Sequence, residues 1–207
     1  MIPLEVALPF CAASVVLALA PGPDNVFVLT QSAVQGRVAG FFVTLGLCTG
    51  LLFHTAAVAL GLAALFQTSA LAFNVVKAVG AAYLLYLAWR AFRAEPASLE
   101  AAGGAPSRGK LYGRGVVLNV TNPKVAVFFL AFLPQFVSPD RGPLAWQFLV
   151  LGALFIVVTF VVFSAIAWAA GSLGGWLRRS DRAQTVMNRV AGTVFVGLAV
   201  KLALTER

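Results

Sequence analysis

The sequence is short of charged residues and of the side chains that usually perform catalysis. Charged residues make up 11% of its 207 residues, against about 25% in soluble domains. It contains one histidine, His54, and two cysteines, Cys11 and Cys48, which lie in apolar segments. It has no Ser/His/Asp set, no cluster with metal-ligand spacing and no glycine-rich phosphate loop with a lysine. We therefore expect neither an enzyme nor an ATP-driven pump, and we expect no cofactor and no bound metal.

Apolar residues, by contrast, are abundant. They make up 60% of the chain, and the mean hydropathy is +0.92. Segments of about 20 apolar residues, long enough to cross a bilayer, recur along the whole length. The net charge of +8 comes from basic residues near the ends of these segments. No basic face with interleaved aromatic residues exists, so we expect no nucleic-acid partner. The composition predicts a single transmembrane domain, 1–207, in contact with the lipid bilayer.

Six apolar segments predict an all-α membrane protein with six transmembrane helices. The predicted helices are 4–34, 39–66, 71–92, 114–137, 144–170 and 186–204. A linker rich in Ala, Gly, Pro and Ser, about 95–112, divides the chain into halves of about 1–94 and 113–207. Each half contains three predicted helices.

The two halves resemble each other in sequence. Pro23-Asp24 in the first half corresponds to Pro123-Lys124 in the second. A basic residue, a glycine and an aromatic residue recur with the same spacing in the third helix of each half: Lys77, Gly80 and Tyr83, then Arg189, Gly192 and Phe195. Because each half has an odd number of helices, the second would be inverted in the membrane, which predicts two inverted three-helix repeats.

The basic residues of the loops predict an orientation. Most of them fall on one side of the six predicted helices: Arg37, Arg90, Arg93, Arg108, Lys110, Arg114, Arg178, Arg179 and Arg182. The positive-inside rule makes this side cytoplasmic. We therefore expect the linker to be cytoplasmic and both termini to lie outside.

Helices 1 and 4 are predicted to be broken by proline. The first break is Pro21-Gly22-Pro23-Asp24-Asn25, and the second is Asn119 to Lys124. Proline donates no backbone hydrogen bond, so the carbonyls of Leu17, Leu19 and Asn119 lose their helical partners. In lipid, such groups are tolerated only against protein or a watery cavity. Freed carbonyls at one half-helix end and free N–H groups at the next would suit a zwitterion such as an amino acid.

The residues of the two breaks are therefore the predicted solute-binding site. They are Pro21, Gly22, Pro23, Asp24, Asn25, Asn119, Asn122, Pro123 and Lys124. A carboxylate and an ammonium inside the bilayer are costly, on the order of 3 kcal/mol each, so they mark a functional site. Asp24 could bind a cation, carry a proton or cap the second half-helix. Lys124 could pair with Asp24 or bind an anionic group.

His54 is a second candidate for proton coupling, because histidine titrates near neutral pH. Gly46, Gly50 and His54 share one face of helix 2. The glycines predict close helix packing, so His54 could equally be a packed, hydrogen-bonded residue. The sequence does not decide whether this face packs within one chain or between two chains. A homo-oligomer is therefore one of the alternatives.

The two breaks resemble the signatures of a known family. Leu19-Ala20-Pro21-Gly22-Pro23-Asp24 is similar to the Pro-Gly-Pro signature in the first helix of the LysE/RhtB amino-acid exporters. Asn119 to Lys124, followed by Phe128 to Phe136, resembles the Asn-Pro-Lys signature of their fourth helix. The resemblance implies export of amino acids or close derivatives across the bacterial inner membrane by proton antiport. Family members carry Asp or Asn where this chain has Asp24, so that position is not an obligatory proton carrier in the family.

Alternating access around helices 1 and 4 is the mechanism that we expect, with an amino acid and a proton as partners. Two alternatives remain from the sequence. One is a cation or metal exporter of a related family, which the lack of clustered His, Cys and Asp residues disfavours. The other is a non-transporting membrane subunit or an intramembrane enzyme, in which the breaks would serve packing.

Overall fold

The computed structural model describes residues 2–20, 22–62, 70–93, 106–179 and 181–204, and the regular elements in these ranges are all helical. The α-helices are α1 (Leu4–Leu19), α2 (Pro23–Gln35), α3 (Arg37–Ala57), α4 (Ala70–Phe92), α5 (Arg108–Val120), α6 (Pro123–Val127), α7 (Leu144–Arg179) and α8 (Asp181–Leu204). Two π-helical segments, Val58–Leu62 and Phe128–Phe132, continue α3 and α6. Two short 3₁₀ helices follow, Leu133–Phe136 and Pro139–Arg141.

Both predicted breaks are present. α1 and α2 are inclined by 60° to each other, and α5 is inclined by 46° to the helical arm Pro123–Phe136. Proline is the first residue of each second arm, where its missing N–H costs no hydrogen bond. The predicted helices 1 and 4 are therefore bent pairs of half-helices.

Among the described residues, two helices are long and apolar enough to cross a membrane, Arg37–Gly61 and Leu144–Ala170, and counting each bent pair as one span gives up to four. The all-helical prediction is confirmed for these residues, whereas the number of six spans stays a prediction. In α4 the apolar stretch is Ala78–Phe92, and α8 includes Arg189 and Lys201 within its length. The arrangement as six helices in an inverted repeat stays a prediction.

Several predicted helix boundaries were wrong. α5 begins at Arg108 rather than Arg114, because the hydroxyl of Ser107 accepts a hydrogen bond from the Lys110 N–H and caps the helix. The last part of the predicted linker is therefore helical, and 94–105 lies outside the described residues. α7 continues to Arg179 through a glycine-rich segment that we expected to be a loop, since glycine weakens a helix without ending it.

The interior is built from phenylalanine rings on the second arm of helix 4. Phe128 is fully buried, and its ring centroid lies 5.0 Å from that of Phe132, 4.9 Å from that of Phe155 and 6.2 Å from that of Phe10. These contacts join α1, the second arm of helix 4 and α7. They hold the two broken helices against a continuous one.

Many large apolar side chains point away from the interior. They include Leu8, Phe53, Leu60, Trp146, Val157 and Trp168, each more than half exposed. A soluble surface rarely carries so much apolar area, whereas a bilayer would cover it. The chain is accordingly a multi-pass membrane protein.

Candidate functional site

Asp24 and Lys124 occupy equivalent places in the two broken helices. Gly22 caps α2 and Pro23 is its first residue, so Asp24 is the second. Asn122 caps α6, with its side-chain oxygen accepting from the Lys124 N–H at 3.0 Å, and Pro123 is the first residue. Asp24 is 2% exposed and Lys124 is 5% exposed. Pro21, the first predicted site residue, lies outside the described residues.

The Lys124 ammonium binds the end of the opposite broken helix. Its Nζ donates to the carbonyl oxygen of Ala20 at 3.1 Å and to that of Leu17 at 3.4 Å. The Leu17 carbonyl is one of those predicted to lose its helical partner. A cation is favoured at a helix C-terminus and disfavoured at an N-terminus. The carbonyls at the C-terminus of α1 therefore compensate for the unfavourable interaction of Lys124 with the N-terminus of α6.

Two more side chains satisfy backbone carbonyls beside the breaks. The Asn25 amide donates to the Ala18 carbonyl. The Nε2 of His54 lies 3.1 Å from the Asn119 carbonyl, another group predicted to be freed. Because a carbonyl only accepts, Nε2 carries the proton of that bond. His54 is buried and hydrogen-bonded, with its ring centroid 5.6 Å from that of Phe129. A proton-coupling role for His54 stays a prediction.

The face of α3 that carries Gly46, Gly50 and His54 lies against α5. An added Cβ at Gly46 would lie 2.1 Å from the Tyr112 carbonyl oxygen, and one at Gly50 would lie 2.7 Å from the Cβ of Asn119. Gly115 approaches α3 in the same way, since its Cβ would lie 2.6 Å from the Val43 carbonyl oxygen. The face therefore packs within one chain, and it brings the Asn119 side chain to the site.

Within the part of the chain that the structure describes, four buried polar atoms at the breaks have no hydrogen-bond partner. They are Oδ1 of Asp24, Oδ1 of Asn25, Oδ1 of Asn119 and Nδ2 of Asn122. An unsatisfied buried polar group costs about 1–3 kcal/mol, and more when it is charged. Lys124, the Asn122 side chain and His54 all lie close enough to act on the Asp24 carboxyl, but the hydrogen bonds of the Lys124 ammonium go to carbonyls. A cluster of this kind is suited to a polar ligand that supplies the missing partners.

A small cavity lies beside two of these residues, Asp24 and Asn119. Its volume is about 10 Å³, which is room for about one water molecule. Asp24, Asn119 and Lys124 line it with Thr159 and Phe155 of α7. In this conformation the cavity is therefore too small for an amino acid.

The structure sorts the predicted site residues into groups. Asp24, Asn119 and Lys124 line the cavity, whereas Pro23 and Pro123 are exposed and shape the backbone. Among the described residues, no group of three or more His, Cys, Asp or Glu could hold a metal ion. Sequence reasoning missed Thr159, whose hydroxyl is also buried and has no partner among the described residues. The signal that could have found it is a hydroxyl in the middle of the most apolar segment.

A second, larger space opens between α2 and α5. This crevice has a volume of about 500 Å³ and is lined by Phe27 of α2 and by Lys110, Arg114, Val117 and Thr121 of α5. Its volume is in the usual range for small-molecule sites. Both basic residues are exposed at the start of α5.

Comparison with known proteins agrees with the signatures at the breaks. Residues 15–206 match the family described as LysE type translocator. The chain is 37% identical over 191 residues, 92% of each chain, to the homoserine/homoserine lactone efflux protein of Salmonella typhimurium. It is 36% identical to the protein of that name from Salmonella typhi, over 92% of each chain. It is 35% identical to an uncharacterized membrane protein of Vibrio cholerae, over 98% of each chain. No solved structure matches. The family match over nearly the whole chain, together with these relatives, means that the protein belongs to the LysE type translocator family.

Proposed function

We propose that this protein exports small amino acids or close derivatives that carry a free amino group. The observation that carries the proposal is the cluster of unpartnered polar atoms between the two helix breaks, centred on Asp24. Membership of a translocator family and the named activity of the Salmonella relatives support it. Substrate sites at broken helices are a recurring design of secondary transporters.

The two solutes in the names of the Salmonella relatives indicate which chemical group of the solute the protein would recognise. Homoserine has an amino group and a carboxylate, whereas in its lactone the carboxylate is closed onto the hydroxyl. The two solutes therefore share the primary ammonium and not the carboxylate. The acceptors here suit that ammonium, since the Leu17 and Ala20 carbonyls already accept from the Lys124 ammonium and the Asp24 carboxylate acts on it electrostatically.

Transport proceeds by alternating access around the two breaks. A cavity with room for about one water cannot hold the solute, so solute entry requires the arms of helices 1 and 4 to separate. Proton antiport supplies the energy, with Asp24 as the proposed proton carrier and His54 as a secondary candidate. Solute and proton must differ in affinity for the two states, since otherwise no net export results.

The protein lies in the bacterial inner membrane with its linker in the cytoplasm and both termini outside. The crevice between α2 and α5 then opens towards the cytoplasm, with Lys110 and Arg114 at its mouth, and gives the solute its approach. The positive-inside rule supports this orientation. The equivalent positions of Asp24 and Lys124 support two inverted halves.

Efflux of preloaded homoserine from vesicles of stated internal and external pH tests the proposal. We expect Asp24→Asn to abolish the dependence of efflux on the pH gradient, because the proton carrier is lost. We expect Lys124→Met to slow efflux at saturating solute, because the closed state loses the bonds to Leu17 and Ala20. Glu5→Gln and Arg93→Met, which change exposed charges, are the matched controls.

Efflux at the wild-type rate, with the wild-type dependence on the pH gradient, in both site variants would refute the mechanism. A panel of inorganic cations in the same vesicles separates amino-acid export from cation export. If no solute of either kind moves, the breaks serve packing in a non-transporting subunit.

A further inference from the structure

We propose that the Lys124 ammonium is a tethered occupant of the solute's ammonium site, which the solute's amino group displaces during transport. The inference rests on the proposed function and assigns the specificity for primary amines to a competition inside the protein. It makes Lys124 a gate that is closed when no solute is bound.

The first step is chemical equivalence. Lys124 and an amino-acid solute both present a primary ammonium with three N–H donors. The site that Lys124 occupies is built for such a group, because two carbonyl oxygens at the end of α1 accept from it. The negative end of the α1 dipole and the Asp24 carboxylate favour a cation at the same place.

The second step is exclusion. Lys124 is almost completely buried, and the cavity beside it has a volume of about 10 Å³. A second ammonium cannot enter while Lys124 stays. If Lys124 leaves, the carbonyls of Leu17 and Ala20 lose their donor at the moment when the solute's ammonium supplies a new one.

The third step concerns Gly22, which leaves room for the Lys124 side chain. An added Cβ at Gly22 would lie 2.9 Å from the Lys124 Nζ and 3.3 Å from its Cε. The φ angle of Gly22 is −174°, an extended conformation open to any residue. Glycine at this position therefore leaves the space that the end of the Lys124 side chain occupies, and a larger residue would displace the ammonium.

A purely structural role for Lys124 makes a different prediction. As a simple cap of α1, Lys124 would stabilise the fold without competing with solute. Lys124→Gln retains N–H donors for the same carbonyls, whereas Lys124→Met retains none. The two variants separate capping from competition.

The test measures homoserine lactone binding to the full chain in lipid nanodiscs, with γ-butyrolactone, which lacks the amine, as the negative probe. The lactone is chosen because it has no carboxylate that Lys124 could attract. We expect Lys124→Met to bind the lactone roughly tenfold more tightly than wild type, about 1.4 kcal/mol, with Lys124→Gln between them. In efflux assays, the KM and the kcat of Lys124→Met should fall together, as when a competing ground-state interaction is removed.

If wild type binds the lactone but Lys124→Met binds it equally or more weakly, competition is ruled out and the proposed function stands. A second arm does not depend on the solute: propylammonium should raise the thermal unfolding temperature of Lys124→Ala and leave wild type unchanged. If wild type does not bind the lactone and propylammonium still stabilises Lys124→Ala, the ammonium site holds and the solute assignment fails. If propylammonium has no effect on Lys124→Ala, the ammonium site itself is refuted.

Discussion

At Gly50 the backbone of α3 lies directly against the side chain of Asn119. An added Cβ would lie 2.7 Å from both Cβ and Oδ1 of Asn119, and neither atom is the end of a long flexible chain. We expect Gly50→Ala to lower the free energy of unfolding by about 1–3 kcal/mol, as overpacking does, and to reduce efflux because Asn119 is displaced from the cavity.

The matched control is Gly197→Ala in α8, where no atom of the described residues, apart from the adjacent helix backbone, lies within 4 Å of the added Cβ. There the better helix propensity of alanine should stabilise the protein by up to about 1 kcal/mol. Unfolding in detergent measures both variants. Equal stability of Gly50→Ala and Gly197→Ala would contradict the close contact of α3 with α5.

Residues of the candidate site could be predicted from the sequence where a polar or charged side chain interrupts an apolar segment. Asp24, Asn119 and Lys124 were predicted because charge, amide and proline stand out in apolar helices, and the structure brings them to one cavity. The partners of the freed carbonyls were not predicted. Lys124 and Leu17 are 107 positions apart in the sequence, and only the packed structure brings such residues together.

At the scale of the elements, the break in helix 4 can be tested with one substitution. Pro123 withholds the N–H that would bond to the Asn119 carbonyl, and that oxygen accepts from the Asn122 N–H at 3.0 Å and from His54 instead. Pro123→Ala supplies the missing donor and removes the ring clash. We expect the arms of helix 4 to straighten from their angle of 46°, the stability to be maintained or raised by about 1 kcal/mol, and efflux to fall.

Stability and efflux measured on the same preparation decide this prediction. Pro139→Ala, in the 3₁₀ segment between helices 4 and 5, is the matched control because it replaces an exposed proline away from the cavity. Efflux at the wild-type rate from Pro123→Ala would mean that the break is not needed for transport.

The breaks could be predicted from the sequence because proline acts on the local backbone. The helices themselves could be predicted from the length of the apolar segments. The π-helical segments Val58–Leu62 and Phe128–Phe132 were not predicted. A π-turn has no distinctive residue requirement and forms where neighbouring packing favours one additional residue in a turn. Here the second segment aims Phe128, Phe129 and Phe132 into the interior, which is a property of the assembled helices.

At the scale of the molecule, the packing of helices can be compared between the halves. α3 packs against α5, the first arm of helix 4, and α7 packs against both arms of helix 1. An inverted repeat would make these two contacts equivalent, and it would also relate α4 to α8, which pack on each other. This pattern is the one expected of two halves related by an axis in the membrane plane.

The orientation of the chain tests that repeat directly. Single cysteines at three exposed positions, Glu5→Cys, Ser107→Cys and Asp140→Cys, are introduced into a Cys11→Ala/Cys48→Ala background. A membrane-impermeant maleimide applied to intact cells should label positions 5 and 140 and not 107, and permeabilised cells should label all three. Three spans per half require 5 and 107 to lie on opposite sides. Labelling of both from the same side would give the first half an even number of spans, and an inverted relation between the halves could not then arise.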